Sequence, residues 1–163
     1  MQKISPFLWF DKNAEQAMNF YVGAFKNSPS KLAKDSKIIS INRYPSGFKE
    51  GPMAGMEGKV LTGVFKLAGQ QFMALDGGPI FKFSEATSFY VECADQAEID
   101  YFFDKLSAVP KFEQCGWLKD KYGLCWQIIP KNMGQLIKAP KALRAMLKMK
   151  KIDIEALKQA AKG

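Results

Sequence analysis

Few side chains in this sequence could carry out chemistry, and the most informative count is that of histidine, which is zero. Without an imidazole, the chain cannot form a Ser-His-Asp triad, a Cys-His dyad or a zinc site with histidine ligands. It also lacks the side chain that most often transfers protons near neutral pH. The candidates that we single out are one carboxylate, Glu92, and one thiol, Cys115.

The three cysteines, Cys93, Cys115 and Cys125, are an odd number with no metal-binding spacing, which favours a reducing, cytoplasmic compartment. Cys115 is the best candidate nucleophile, because it lies in a predicted loop near Lys119 and Lys121, whose charges would favour the thiolate. No histidine is present to activate it, so a structural thiol is the stronger interpretation. Cys93 is expected to be an inert core residue.

The elements that must position these groups follow a pattern that occurs twice, strand–helix–strand–strand–strand. In the first copy the strands and the helix are predicted at residues 5–10, 14–25, 37–44, 59–67 and 69–75. The second copy begins with a strand at 88–93 and a helix that carries Ile99, Phe102, Phe103 and Leu106. It continues through a shorter region at 111–121 and ends with a strand at 123–129. Asn13 and Asp95 are the expected N-caps of the two helices.

The boundaries follow from turn chemistry and charge. Asp76-Gly77-Gly78-Pro79 has the composition of a turn, which places the modules at 1–78 and 84–130 of one domain. Residues 45–58 are expected to form a loop in which Met53 and Met56 either cover a pocket or are disordered. After Pro130 three amphipathic stretches predict a helical extension over 131–163, with Asp153 as the cap of the last helix.

The net charge of +8 is concentrated in that extension, which has nine Lys or Arg residues against Asp153 and Glu155. Residues 1–130 have fifteen basic and fourteen acidic side chains, so they present no strongly basic face. We therefore interpret the lysines as a solvated helical surface and regard nucleic acid as an improbable partner. No apolar run approaches the ~20 residues that a membrane span requires.

Four stretches of the sequence resemble a known family: PFLWFDKNAEQAMNFY, FMALDGGPIFKFSEA, EQCGWLKDKYGLCWQIIP and MLKMKKIDIEAL. The chain resembles the PhnB-like, 3-demethylubiquinone 3-methyltransferase-like branch of the vicinal oxygen chelate superfamily, which includes glyoxalase I and bleomycin-resistance proteins. The resemblance implies an α+β fold of two βαβββ modules, whose curled sheets surround a concave pocket, and a homodimer. Uncovered sheet edges and apolar helix stripes are a physical reason for pairing.

Strand alternation assigns side chains to that pocket, since successive residues point to opposite faces of a sheet. On the first strand Leu8 and Phe10 are expected under the helix, with Phe7 and Trp9 on the open side. The expected ligand-binding residues are Phe7, Trp9, Met73, Tyr90, Glu92 and Gln127. Aromatic walls with a few polar groups are typical of small-molecule sites.

Metal-dependent relatives use four ligand positions, which the resemblance assigns here to Ser5, Met73, Ser88 and Gln127. Two hydroxyls, a thioether and a carboxamide offer no negative charge to a divalent ion, and zinc or iron prefers imidazole, thiolate or carboxylate. We therefore expect no metal and no cofactor in the pocket.

Three functions remain open. The leading hypothesis is a metal-free pocket that binds a small, partly aromatic molecule. The second is an enzyme, either the methyltransferase of the family label or another lyase or transferase of small metabolites, with Glu92 as a general acid or base. Methyl transfer is the reaction that the family label implies, although the sequence has no glycine-rich strand–loop–helix unit for a nucleoside cofactor. The third is an interaction protein, with a vestigial pocket, whose basic C-terminal helices bind a partner.

Overall fold

The computed structural model describes residues 3–47, 49–51 and 53–162. The chain divides into two compact units. The first comprises Met1–Asn27 and Lys31–Lys82, and the second comprises Ser28–Ser30 and Phe83–Gly163. Phe48 and Pro52, within the expected loop, and Gly163, at the end of the expected helical extension, lie outside the described residues. No helix among the described residues is long and apolar enough to cross a membrane.

The first unit is a four-stranded sheet with one long helix. Its order along the chain is β1 (Phe7–Phe10), α1 (Ala14–Lys26), a 3₁₀ turn (Leu32–Asp35), β2 (Lys37–Arg43), β3 (Val60–Leu67) and β4 (Gln70–Asp76). In the sheet the strands lie in the order β1-β4-β3-β2. Strand β1 is parallel to β4, and the other pairs are antiparallel. Because β1 and β4 are parallel neighbours, the chain must cross over between them, and this connection contains α1.

Helix α1 covers one face of this sheet through residues at helical spacing, among them Ala17, Met18 and Tyr21, all fully buried. The same face of β1 carries the buried Leu8 and Phe10. The contact is close at Gly63 of β3, where an added Cβ would lie 2.5 Å from the sulfur of Met18. The expected phase of the first strand is therefore confirmed on its buried side.

A buried carboxylate connects the elements of this unit. Asp76, at the end of β4 and 2% exposed, accepts the backbone N–H of Ala14 at 2.8 Å and that of Val60 at 2.9 Å. Its own carbonyl accepts the hydroxyl of Tyr44 at 3.0 Å. Asp76 thus joins the start of α1, the start of β3 and the end of β2 to one point.

Asp76 also corrects the expected cap of α1. Asn13 occupies the N-cap position, but its side chain makes no capping hydrogen bond. The carboxylate of Asp76 accepts the N–H of Ala14 instead, and the carbonyl of Asn13 accepts the N–H of Ala17 at 3.0 Å. A negative group at this end also complements the helix dipole.

The second unit repeats the plan with one strand fewer. It contains β5 (Ser88–Cys93), α2 (Gln96–Leu106), a 3₁₀ turn (Pro110–Phe112), β6 (Trp117–Lys119) and β7 (Cys125–Pro130). The strand order is β5-β7-β6, with β5 parallel to β7. Its helix is capped as expected, since Asp95 accepts the N–H of Glu98 and Glu98 in turn accepts the N–H of Ala94.

The second module was expected to contain four strands, and its sheet has three. Within the region 111–121, which was expected to supply two strands, the chain forms part of the 3₁₀ turn, a single bridge between Gln114 and Trp117, and only the strand β6. Pro110 explains part of this difference, because proline has no N–H to donate to a sheet ladder. The α+β class and the duplicated plan are nevertheless as predicted.

The C-terminal helices belong to the second unit. They are α3 (Met133–Leu136), α4 (Pro140–Met146) and α5 (Ile154–Lys162). The buried cluster that they share with β7 consists of Ile129, Leu136, Ile152 and Leu157. Asp153 caps α5 as expected, accepting the N–H of Ala156 at 2.9 Å.

Replacement of Asp76 by asparagine should destabilise the first unit. The amide turns an N–H toward a buried backbone N–H, so one donor loses its acceptor, at a cost of about 3 kcal/mol. Urea unfolding followed by circular dichroism would show a lower midpoint, with Asp11→Asn, the same change at an exposed position, as control. A midpoint for Asp76→Asn equal to that of the control would contradict the role given to this carboxylate.

Candidate functional site

The open face of the first sheet carries the aromatic residues that the sequence assigned to a pocket. Phe7 is paired with Met73 on β4, and Trp9 with Leu75. Phe7 is 47% exposed, whereas Trp9 and Met73 are half-buried. Phe7, Trp9 and Met73 therefore lie together on the side of the sheet opposite α1.

Trp9 is fixed by the turn that follows β4. Its indole N–H donates to the carbonyl of Gly78 at 2.9 Å, and its ring meets that of Phe81 edge to face, with centroids 5.0 Å apart. The turn is held to β1 in return, since the N–H of Gly77 donates to the carbonyl of Phe10 at 2.8 Å. The ring is therefore presented in one orientation.

Gly77 allows the indole to lie against the backbone. A Cβ at this position would lie 2.1 Å from the Trp9 ring, closer than any side chain tolerates. The composition of Asp76-Gly77-Gly78-Pro79 predicts only a turn between modules, and Gly77 and Phe81 were not predicted as partners of Trp9. The signal present in the sequence was a glycine pair directly after a buried strand, followed by the exposed aromatic Phe81.

The open face of the second sheet is more polar. Tyr90 and Glu92 on β5 are exposed, while Cys93 is fully buried. Tyr90 is paired with Gln127 on β7. The side-chain amide of Gln127 donates to the hydroxyl of Ser88 at 2.8 Å. This unit therefore places Ser88, Tyr90 and Gln127 as neighbours on one face.

Tyr90 remains a neutral phenol on this face. Partial burial of the ring raises its pKa, and the nearby charge of Glu92 raises it further. The hydroxyl can thus donate and accept hydrogen bonds over the whole physiological pH range. Glu92 is exposed, so the apolar surroundings expected for it are not present within this unit.

An ion pair that the sequence analysis missed lies at the end of β6. Lys119, whose side chain is only 15% exposed, is hydrogen-bonded to Glu85 and lies over the ring of Phe112, 3.8 Å from its centroid. Glu85 carries its charge, since the hydrogen bond from Lys119 lowers the pKa of this carboxyl. Nothing in the local sequence links residues 34 positions apart, which explains why this pair was missed.

Of the residues that the resemblance assigns to the ligand positions of metal-dependent relatives, Ser5 and Met73 lie in the first unit and Ser88 and Gln127 in the second. The hydroxyl of Ser5 accepts the amide of Gln71 at 3.2 Å, and the hydroxyl of Ser88 accepts that of Gln127. Met73 adds a thioether and no charge. The described residues contain no group of three or more Cys, Asp or Glu side chains that could hold an ion. These side chains are all uncharged, whereas a divalent ion prefers anionic or imidazole ligands. That the protein binds no metal ion stays a prediction.

The cysteines differ in accessibility. Cys93 is fully buried, and its burial raises the pKa of the thiol to about 12. Burial also raises the pKa of Cys125, although Lys119 opposes the shift. Cys115 is half-buried, in a left-handed conformation with φ of 52°, and its thiol contacts the carbonyl of Met146 at 3.5 Å. All three are free cysteines.

The loop between β2 and β3 is built from short turns in its described part. The N–H of Met56 donates to the carbonyl of Met53, and the N–H of Lys59 to that of Met56. Both methionines are half-buried. Whether they cover a ligand stays a prediction.

Two sheets, each with a helix between its parallel strands, define the class of protein: a mixed α+β fold of the vicinal oxygen chelate type. The family model for 3-demethylubiquinone-9 3-methyltransferase matches residues 2–129. The chain therefore belongs to this PhnB-like family, as the resemblance implied. No curated protein gives a significant match.

Solved structures agree with this assignment. The chain is 40% identical to a PhnB protein from Bacillus cereus, over 79% of this chain and 98% of that one, with a TM-score of 0.60. A Pseudomonas aeruginosa protein shares the fold at 17% identity, with coverage of 80% and 97% and a TM-score of 0.57. Each alignment leaves about a fifth of this chain uncovered.

Replacement of Gly77 by alanine should displace the Trp9 ring and break its hydrogen bond to Gly78. We expect a loss of about 2 kcal/mol in the free energy of unfolding and a changed environment of the indole. Fluorescence of a variant in which Trp9 is the only tryptophan would report the displacement. Gly23→Ala is the matched control, since nothing lies within 4 Å of a Cβ there. An unchanged Trp9 spectrum in Gly77→Ala would refute the close contact.

Native protein should react with iodoacetamide at Cys115 and not at Cys93. The thiolate is the reactive form, and a pKa of about 12 leaves almost none of it at pH 8. Because the folded pKa lies above the ordinary thiol value, folding favours protonated Cys93, and this stabilisation is lost as the pH rises toward 12. Peptide mass spectrometry would locate the label, with urea-unfolded protein labelled at all three cysteines as control. Rapid native labelling of Cys93 would show that this part of the unit opens readily.

Proposed function

We propose that this PhnB-like protein binds a small, partly aromatic molecule on the open face of its first sheet, without a metal ion. The observation that carries the proposal is the fixed Trp9 ring, flanked by side chains that remain open to contact. Most buried tryptophans pack within a core, whereas this one lies on the side of the sheet that α1 does not cover. A small-molecule site of this kind combines apolar walls with a few oriented polar groups.

The first unit supplies apolar contact. Phe7 and Phe81 are 47% and 62% exposed, and Met73 lies beside Phe7 in the sheet. A planar ligand could stack on these rings or meet them edge on, and aromatic pairs contribute roughly 0.5–1.5 kcal/mol beyond the area that they bury. Met73 adds an adaptable, polarisable surface that suits an aromatic ligand.

The second unit carries oriented hydrogen-bonding groups on its own open face. The amide of Gln127 donates to Ser88, and among the described residues its oxygen and its second N–H have no hydrogen-bond partner. The phenol of Tyr90 adds a further donor. These groups would suit the hydroxyl, carbonyl or ether oxygens of a molecule that contacts this face.

Methyl transfer is the alternative that the family model favours, since its name is that of a methyltransferase of a demethylubiquinone. In this alternative Glu92 would remove the proton from the hydroxyl that receives the methyl group. Its exposed position is a weaker setting for a general base than a buried one. We therefore place binding first.

Homodimer formation and a cytoplasmic location belong to the same proposal. Strand β2 is an edge of the first sheet, and Ile39 on it is 48% exposed. Its pairing with β3 is interrupted by two register shifts, so a partner would not extend it as a regular strand. A dimer would therefore form through side chains, and light scattering would report it. The free state of all three cysteines suits a reducing compartment.

A ubiquinone headgroup analogue, 2,3-dimethoxy-5-methyl-1,4-benzoquinone, should quench tryptophan fluorescence and raise the melting temperature. The Phe81→Ala variant should weaken binding about fivefold or more, because it removes one aromatic contact. Ile80→Ala is the matched control, since Ile80 is the exposed neighbour of Phe81 in sequence.

Treatment with EDTA should leave this affinity unchanged. The alternative function, methyl transfer, is tested by adding S-adenosylmethionine and the corresponding catechol. If the protein methylates the catechol and the Glu92→Gln variant does not, methyl transfer and not simple binding is the function. Absence of binding by this quinone and by simple phenols at millimolar concentration would refute the proposal.

A further inference from the structure

The segment from residue 121 to residue 152 contains eight Lys or Arg residues and no Asp or Glu. Two of these cations have partners within the second unit. Lys150 lies 3.5 Å from Glu113, and Lys151 lies 2.9 Å from Asp100. The others therefore account for most of the excess positive charge of the protein.

Five cations of this segment make no ion pair with any described residue: Lys131, Lys138, Lys141, Arg144 and Lys148. Lone surface lysines are normally solvated and need no explanation. Three of these cations, however, lie on or directly after α4, beside exposed leucines.

The face of α4 that points away from the core combines charge with apolar area. Ala142 is fully buried, whereas Leu143 and Leu147 are 40% and 54% exposed. The two leucines are four residues apart and so lie on one side of the helix. Lys141, Arg144 and Lys148 follow an i, i+3, i+7 spacing and form a second line on the solvent side. These five residues are called the α4 surface.

The α4 surface is held rigidly. The amide of Gln114 donates to the carbonyl of Leu147 at 2.7 Å, and the N–H of Cys115 donates to that of Met149 at 2.8 Å. Met146 and Met149 pack against the buried cluster of Ile129 and Ile152. A rigid surface loses little conformational entropy when a partner binds.

We propose that the α4 surface binds an acidic segment of a partner protein that carries one aliphatic anchor residue. Carboxylates of the segment would complement Lys141, Arg144 and Lys148, and the anchor would contact Leu143 and Leu147. The leucines would contribute nothing to the binding of a nucleic acid backbone. Leu143 on this helix of seven residues and Leu147 directly after it are also too small an apolar face to enter a membrane interface. Charge complementarity together with the leucine pair thus favours a protein segment.

The test uses the full chain and four labelled or titrated probes at low ionic strength. The probes are a glutamate-rich peptide with one central leucine, polyglutamate of the same charge, a DNA duplex, and vesicles of phosphatidylcholine with phosphatidylserine. The leucine-containing peptide should bind best, with an affinity that falls as salt is added. Tighter binding of DNA or of vesicles, or no binding of the leucine-containing peptide, would overturn the proposal.

Two variants separate the contribution of the three cations to peptide binding from that of the two leucines. The triple change Lys141→Gln, Arg144→Gln and Lys148→Gln should weaken peptide binding about tenfold or more. The change of Leu143 and Leu147 to serine should abolish the preference over polyglutamate. The matched control replaces the exposed Lys3, Lys12 and Lys31 by glutamine, which removes the same charge from the first unit. An equal loss in both triple variants would mean that only net charge matters and would overturn the proposal.

Discussion

The first unit depends on one buried carboxylate, that of Asp76. It accepts backbone N–H groups from the starts of α1 and β3, which would otherwise be buried without a partner. Its position at the end of β4 also determines where the following turn lies. The N–H groups of Gly77 and Gly78 donate to the backbone at the end of β1, and the carbonyl of Gly78 accepts the indole N–H of Trp9. The hydrogen bonds that hold this turn in place therefore also orient the Trp9 ring on the candidate ligand-binding face.

In the second unit a different carboxylate, that of Asp120, accepts the buried N–H groups. Asp120, 1% exposed, accepts the backbone N–H groups of Tyr122 and Leu124 and the indole N–H of Trp126. The missing fourth strand is partly compensated by the C-terminal segment, whose Met149 and Lys150 carbonyls accept the N–H groups of Cys115 and Gly116. The basic extension is therefore part of the core of this unit and not an appendage to it.

The sequence predicts what depends on local pattern. Strand alternation and helical spacing give β5 at residues 88–93 with its correct bounds, and α1 to within one residue. Partners that are distant in the sequence cannot be predicted in this way, because no local pattern indicates which distant group accepts a given backbone N–H. The replacement of the Asn13 cap by Asp76, and the contact of Trp9 with Gly77 and Phe81, both depend on residues more than sixty positions away.

The open faces of the two sheets carry different side chains at equivalent positions of the duplicated plan. Where the first sheet has Phe7 beside Met73, the second has Tyr90 beside Gln127 at the matching register, so the same backbone plan presents rings on one face and hydrogen-bonding groups on the other. Ser5 and Ser88, which the resemblance assigns to two of the four ligand positions, accept hydrogen bonds from the side-chain amides of Gln71 and Gln127, so each hydroxyl already has a partner within its own unit. The apolar face of the first sheet favours an uncharged ring of a ligand, since neither partner must then bury an unpaired charge.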